Sequence, residues 1–128
     1  MRDFRDLDVW KKSHALALEA YTITRPFPKE ELYGLVSQIR RCASSVPANI
    51  AEGCGADSDA EFARFLTIAM RSATELEYHL LLARDLDLLS SDVHSGMEQR
   101  VVEVKKMLTS FIRKMRPRKE WPTKEAEG

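Results

Sequence analysis

Residues 32–55 read LYGLVSQIRRCASSVPANIAEGCG, and their apolar pattern is the main basis for the predicted fold. Its apolar residues recur at alternating spacings of four and three, which is the heptad seam of a helix packed in a bundle. The seam residues are Leu32, Val36, Ile39, Ala43, Val46 and Ile50. We therefore predict one helix over about Lys29 to Cys54, with Gly53 and Gly55 supplying its end.

Pro47 lies in the middle of this predicted helix. A proline at such a position removes one backbone hydrogen bond and crowds the carbonyl four residues back, at a cost of about 3 kcal/mol. We predict a continuous second helix that is kinked at Pro47, with the freed Ala43 carbonyl satisfied by water, a side chain or a neighbouring subunit.

Three other segments keep the same helical period. The first covers about Leu7 to Thr24, with Asp6 as its expected N-cap and the sequence RPFP as its stop. The third begins with a capping box formed by Ser58 and Glu61. Its seam residues are Phe62, Leu66, Ala69, Ala73, Leu76, Leu80 and Ala83, and those of the fourth segment are Met97, Val101, Val104, Leu108, Phe111 and Met115.

No stretch alternates with the period of two that a half-buried strand shows. Four helices with short connections favour an all-α fold, an antiparallel up-and-down four-helix bundle over residues 1–116. The remaining residues, 117–128, are polar and interrupted by proline, so we predict a disordered tail there.

Charge and hydropathy limit the function classes. The 128 residues include 20 basic and 20 acidic side chains, so no global field draws the chain to nucleic acid or to a membrane. No apolar run approaches the roughly 20 residues that span a bilayer, and MRDFRDLDVW is not a signal peptide. Cys42 and Cys54 are about 18 Å apart along one predicted helix, too far to form a disulfide. We expect free thiols, a cytoplasmic location and no membrane partner.

A second row of residues lies opposite the seam of the second helix. These residues are small or form hydrogen bonds, and they are Gly34, Gln38, Arg41, Ser45, Ala48 and Glu52. The row indicates either a solvated face or a face that packs against a neighbouring subunit.

The third helix carries Ser72, Glu75 and His79 beside its seam, among apolar residues. A carboxylate in apolar surroundings must be paired or lose its charge, and the expected partners are Arg40, Arg41 and the Asn49 amide. An ion pair that fixes helix register is favoured over catalysis.

The sequence offers little for a metal or a catalytic centre. None of the three histidines follows a glutamate by three residues, so the Glu-x-x-His pairs of di-metal bundles are missing. Glu75 and His79 would make one half-site without a second. We therefore expect no catalytic residues, no metal and no cofactor.

The chain has one local charge bias, at its carboxyl end. Residues 100–119 contain eight basic residues against the single acid Glu103. The expected phosphate-contacting residues are Lys105, Lys106, Arg113, Lys114 and Arg116. The alternative is a solvated helix end, where cations are favoured by the helix dipole.

Three stretches together resemble a known family. They are FRDLDVWKKSHALALEAY, FPKEELYGLVSQIRRCASSVPANIAEGCG and FARFLTIAMRSATELEYHLLLA. In order and spacing, residues 4–115 resemble the four-helix-bundle proteins named for 23S ribosomal RNA intervening sequences. The resemblance implies an up-and-down bundle that assembles into a homopentameric ring and has no enzymatic activity. A related branch, the accessory protein of diversity-generating retroelements, partners a reverse transcriptase and binds nucleic acid.

The resemblance also implies a set of signature positions. They are Arg40, Arg41, Ser45, Pro47, Asn49, Glu52, Gly53, Ser72 and Glu75. The chain departs from the family pattern at Cys42, where alanine is usual, at Ala56, where arginine is common, and at Arg71, where glycine is usual. Its zero net charge also differs from the strongly basic retroelement branch.

These observations predict a non-catalytic, self-assembling bundle that acts as a scaffold or as a weak, sequence-tolerant binder of RNA or DNA. The alternative is a protein-interaction adaptor for a nucleic-acid enzyme such as a reverse transcriptase.

Overall fold

A computed structural model of the chain describes residues 2–116; the predicted tail at 117–128 lies outside the described residues. The described part contains four α-helices and no strand. The helices are α1 (Asp8–Thr24), α2 (Ser37–Cys54), α3 (Asp59–Asp85) and α4 (Ser91–Met115). Each helix packs against the next, and α1 closes the bundle against α4. The predicted four-helix bundle is confirmed.

The seams predicted for the helices form the core. Every predicted seam residue of α3 is buried, as are Val36, Ile39, Ala43, Val46 and Ile50 of the second segment. On α4, the seam residues up to Leu108 are buried, and Phe111 packs edge-on against Phe62 with ring centroids 5.2 Å apart. The period of the apolar residues was therefore sufficient to locate the core.

The start of α1 differs from the prediction. Asp6 belongs to a 3₁₀ turn over Phe4–Asp6, and α1 begins after Leu7, which has extended backbone angles and no side-chain cap. The predicted N-cap at Asp6 is wrong. Phe4 packs edge-on against Trp10 of α1, with ring centroids 4.9 Å apart, and this contact holds the preceding turn back against the helix.

The start of α2 also differs. A 3₁₀ turn (Lys29–Glu31) and a π-helical turn (Leu32–Val36) precede α2, so its α-helical part begins at Ser37 rather than at about residue 29. Gly34, with φ −111° and ψ −108°, is outside the helical region. The four-and-three register therefore does not extend back to Leu32, whose side chain is 47% exposed instead of being part of the core.

Pro47 is inside α2, and the helix is continuous from Ser37 to Cys54. The predicted continuity is confirmed, whereas the kink stays a prediction. Pro47 is buried on the α1 side, where it borders a surface groove with Trp10, His14 and Leu18.

Gly53 allows α2 and α3 to approach each other closely at one end of the bundle. A Cβ atom at this position would be 2.7 Å from Phe62 Cδ1 and 3.0 Å from Phe65 Cβ. Both distances are shorter than the roughly 3.5–4.0 Å at which carbon atoms pack. The helix crossing therefore requires a glycine here.

The amino ends of α3 and α4 are capped by serines. Ser58 Oγ accepts a hydrogen bond from the Glu61 backbone N–H at 3.1 Å, which confirms one half of the predicted capping box. The Glu61 carboxylate instead accepts hydrogen bonds from Arg64. Ser90 caps α4 by accepting a hydrogen bond from the Val93 N–H.

Over residues 2–116, no helix has the length and apolar character needed to span a membrane.

Candidate functional site

The polar cluster predicted between the second and third helices forms around Glu75. Arg41 Nη2 donates to Glu75 Oε2 at 2.8 Å, and His79 Nε2 is 3.2 Å from the same oxygen. The Arg41 and Glu75 side chains are 58% and 44% exposed, whereas His79 is only 15% exposed. Arg41 is therefore the partner of Glu75, and their ion pair lies at the surface rather than in apolar surroundings.

Arg40, the other expected partner, points toward α1. Its Nε donates to the hydroxyl of buried Thr24 at 3.0 Å, and its Nη2 donates to the Tyr21 carbonyl at 3.4 Å. Its guanidinium also lies over the Tyr21 ring, 4.7 Å from the centroid. Arg40 thus holds the carboxyl end of α1 against the beginning of α2, where a cation also complements the helix dipole.

Asn49 does not contact Glu75 either. Its amide nitrogen donates to the carbonyl and the hydroxyl of Ser45, at 2.8 and 3.0 Å. The Ser45 hydroxyl in turn shares a 2.9 Å hydrogen bond with the Ser72 hydroxyl of α3. Ser45, Asn49 and Ser72 therefore form a second polar connection between the two helices, one turn away from Arg41. Glu52 is exposed, and Gly53 has the packing role described above.

Cys42 also belongs to the cluster around Glu75, and its membership was not predicted from the sequence. Its buried Sγ and the ligand atoms of Glu75 and His79 all lie within 4.8 Å of one another. Arg41 Nη2 is 3.8 Å from this sulfur. A helical wheel already contained the signal, because residues 42, 45 and 49 share one side of a helix.

The cluster has a defined protonation pattern at neutral pH. Burial raises the pKa of the Cys42 thiol to about 12, and the hydrogen bond and negative charge of Glu75 add to this effect. Hydrogen bonds from Cys42, His79 and Arg41 lower the pKa of Glu75. Cys42 is therefore a protonated donor and Glu75 an ionised acceptor, so the thiol is not an activated nucleophile.

The cations predicted to contact phosphate are divided among three surfaces. One is the α4 groove, lined by Val102, Lys105, Lys106, Thr109, Ser110 and Arg113. Within it, Lys105 Nζ forms a 2.8 Å ion pair with Glu77 of α3, so its charge is partly neutralised. Lys114 is exposed on the α1 side of α4. Arg116 donates to the Thr67 hydroxyl at 3.2 Å and borders a different groove with Arg64 and Arg71.

The outer row of α2 is on the surface of the single chain. Gln38, Arg41, Ala48 and Glu52 are exposed, while Ser45 is half-buried. Gly34 precedes α2 and does not continue the row.

Beside this row, the surface groove between α1 and α2 is almost entirely apolar, and we name it the α1–α2 groove. It is lined by Phe4, Trp10, His14, Ala17, Leu18, Tyr21, Ser44, Pro47, Ala48 and Ala51.

Comparisons with known proteins identify the family of this chain. A family model described as 23S rRNA-intervening sequence protein matches residues 5–110. The chain is similar to a crystal structure, at 1.70 Å resolution, of a protein of unknown function from the S23 ribosomal protein family of Bacteroides thetaiotaomicron. The two are 29% identical, with a TM-score of 0.75 over 82% of this chain and 98% of that one. No curated protein matches this sequence. Since the family model covers most of the residues, the chain belongs to the 23S rRNA-intervening sequence protein family.

Proposed function

We propose that this protein is a non-catalytic, self-assembling helical bundle that binds the phosphate backbone of RNA through α4. The observation that carries the proposal is the composition of the α4 groove, whose lining residues include three cations and two hydroxyl side chains but no carboxylate. Cations and hydroxyls are the groups that proteins direct at phosphate oxygens.

The same surface favours binding without sequence preference. Phe111, the aromatic residue of α4, packs against Phe62 of α3 and does not face the groove. The lining of the α4 groove therefore offers bases no aromatic stacking platform, and phosphate contacts dominate there. Binding of this kind weakens steeply with salt, because neutralised phosphates release counterions.

Self-assembly is the second part of the proposal, and the α1–α2 groove supports it. Leu18 and Tyr21 are exposed large apolar side chains at its edge, next to the small residue Ala48 of α2. Grouped apolar side chains on a surface favour a protein interface. The homopentamer that the family resemblance implies would repeat the α4 groove five times, and repetition raises the avidity for a long RNA without any new contact.

Charge reversal tests the RNA-binding part. We expect the intact protein at micromolar concentration to bind structured RNA in about 50 mM salt and to lose affinity steeply as salt rises. The triple variant Lys106→Glu, Arg113→Glu, Lys114→Glu should abolish binding, and Lys105 is left intact because it pairs with Glu77.

A matched control has the same change in net charge at residues that do not line the α4 groove. It combines Lys11→Glu, Arg25→Glu and Lys29→Glu, all at exposed positions. This control should keep most of the binding. If wild-type protein does not bind, or if both triple variants lose binding equally, α4 is not an RNA-binding surface.

Light scattering tests the assembly. A subunit has a mass of 14.6 kDa, and the expected particle has about five times that mass, as the resemblance implies. Leu18→Glu should reduce the mass, because a carboxylate would have to be buried in the apolar groove. Leu32→Glu, also at an exposed leucine but outside the groove, should leave the mass unchanged. A wild-type protein that remains monomeric at every concentration would refute self-assembly.

The alternative is an adaptor for a nucleic-acid enzyme. The α1–α2 groove also favours this function, because an apolar groove between two helices can accept a helix of a different protein. A monomeric wild-type protein without RNA affinity would support the adaptor, and a reverse-transcriptase gene beside its own would name the enzyme to test.

A further inference from the structure

We propose that Cys42, Glu75 and His79 form a binding site for a thiophilic divalent cation such as Zn²⁺ at the contact between α2 and α3. Their candidate ligand atoms, a sulfur, a carboxylate oxygen and an imidazole nitrogen, are mutually within 4.8 Å. In a tetrahedral zinc site, bond lengths of about 2.0–2.3 Å place ligand atoms roughly 3.5 Å apart. Small side-chain torsions are therefore enough to close the site.

The backbone already holds the three residues in position. Glu75 and His79 are four residues apart on α3, so they share one face of the helix. Cys42 approaches this face from α2, and the hydrogen bond between Ser45 and Ser72 fixes the two helices against each other one turn away. A preformed arrangement of this kind reduces the ordering cost of binding.

The ligand set selects the class of metal. Thiolate and imidazole favour Zn²⁺ and similar transition ions, whereas Mg²⁺ and Ca²⁺ prefer oxygen ligands. Three protein ligands leave a fourth coordination position for water or another small ligand. The His79 ring is largely buried, and its Nδ1 has no hydrogen-bond partner among residues 2–116. Its Nε2 already lies 3.2 Å from Glu75 Oε2, so this nitrogen is placed to bind a metal ion that Glu75 also binds.

Arg41 is the one cation that competes for Glu75 in this cluster. Its exposed side chain also donates to Gln38 Oε1 at 2.7 Å, so it can leave Glu75 and keep a partner on its own helix. The metal ion then replaces the guanidinium as the charge partner of Glu75. Cys42 binds as a thiolate: its S–H bond breaks, the sulfur–metal bond forms and one proton passes to the solvent.

Titration with Co²⁺ as a spectroscopic substitute for Zn²⁺ tests the site in the intact, reduced protein. We expect a thiolate-to-cobalt charge-transfer band that saturates at one ion per chain and disappears when Zn²⁺ is added. Cys42→Ala and His79→Gln should abolish the band. Arg41→Gln should strengthen Co²⁺ binding about threefold to tenfold, because it removes the competing cation.

Cys54→Ala is the matched control, because Cys54 is also a buried free thiol but is not part of the cluster. It should keep the band at full intensity. Cys42→Ser provides a second variant of nearly the same size, so that loss of the band is separated from loss of the fold, which circular dichroism monitors. Absence of the band in wild-type protein, or its loss in Cys54→Ala with retention in Cys42→Ala, overturns the proposal.

Discussion

Gly53→Ala should destabilise the bundle, although an alanine normally stabilises a helix. The new Cβ would be 2.7 Å from Phe62 Cδ1 and 3.0 Å from Phe65 Cβ. Phe62 cannot turn away freely, because its buried ring packs edge-on against Phe111 and carries the Arg2 guanidinium 4.9 Å above its centroid. The Phe65 Cβ moves only with the backbone of α3. The clash must therefore be relieved by a shift of the whole helix.

The expected magnitude follows from two opposing terms. Overpacking of a well-packed site costs about 1–3 kcal/mol. Replacing glycine by alanine in a helix returns at most about 1 kcal/mol, and less at Gly53 because it lies in the last turn of α2. We expect the free energy of unfolding to fall by about 1–2 kcal/mol. Gly96 of α4 is the matched control, because a Cβ there meets nothing within 4 Å. Gly96→Ala should stabilise the protein by about 0.5–1 kcal/mol.

Urea denaturation followed by helical circular dichroism measures both variants, at one fixed protein concentration so that assembly affects them equally. We expect the free energy of unfolding to fall in Gly53→Ala and to rise in Gly96→Ala. Adding Phe62→Leu to Gly53→Ala should recover part of the loss, so the two changes should couple in a double-mutant cycle. If Gly53→Ala stabilises as much as Gly96→Ala does, the close approach of α2 and α3 is refuted.

Three other substitutions or treatments test individual contacts. Arg40→Ala should lower the unfolding free energy by about 1–2 kcal/mol, because the hydroxyl of buried Thr24 loses its charged donor; no loss in urea denaturation would contradict this role. Glu75→Gln should cost less than about 1 kcal/mol in the chain without bound metal, since the ion pair is half-exposed. The folded state lowers the pKa of Glu75, so the stabilising effect of the carboxylate should be complete above the usual carboxyl pKa and should disappear as pH falls through the lowered pKa. If the loss of unfolding free energy caused by Glu75→Gln instead grows in acid, this pH dependence is contradicted. Cys42 and Cys54 should both resist iodoacetamide at neutral pH until the protein is unfolded, because burial raises both thiol pKa values; rapid alkylation of Cys42 in the native protein, followed by mass spectrometry, would show that it is accessible.

The sequence alone determined the fold class and most of the core. Apolar periodicity is a local property of the chain, and only one side of a helix can face a bundle interior, so the seam of α3 from Phe62 to Ala83 could be identified without coordinates. The continuity of α2 through Pro47 was also predictable, because helical residues with strong periodicity flank the proline on both sides. The sequence also predicted that Glu75 would pair with an arginine of the second helix, although the pair lies at the surface and not in the apolar surroundings that the prediction assumed.

Helix boundaries, and the residues that pair with each charged side chain, depended on tertiary contacts. Asp6 lost its predicted capping role because Phe4 packs on Trp10, a contact that the local capping pattern does not contain. Leu32 lies outside the core because the backbone at Gly34 breaks the helical register.

The neighbouring residues Arg40 and Arg41 also show that a local sequence pattern does not determine which partner a side chain contacts. Adjacent residues on a helix point about 100° apart, so Arg40 reaches α1 and Arg41 reaches α3. Which of the two meets Glu75 depends on how α2 is rotated between its neighbours. That rotation also brings Cys42 to Glu75 and His79, more than thirty residues away in sequence. It is set by the packing of all four helices together, so no local pattern determines it.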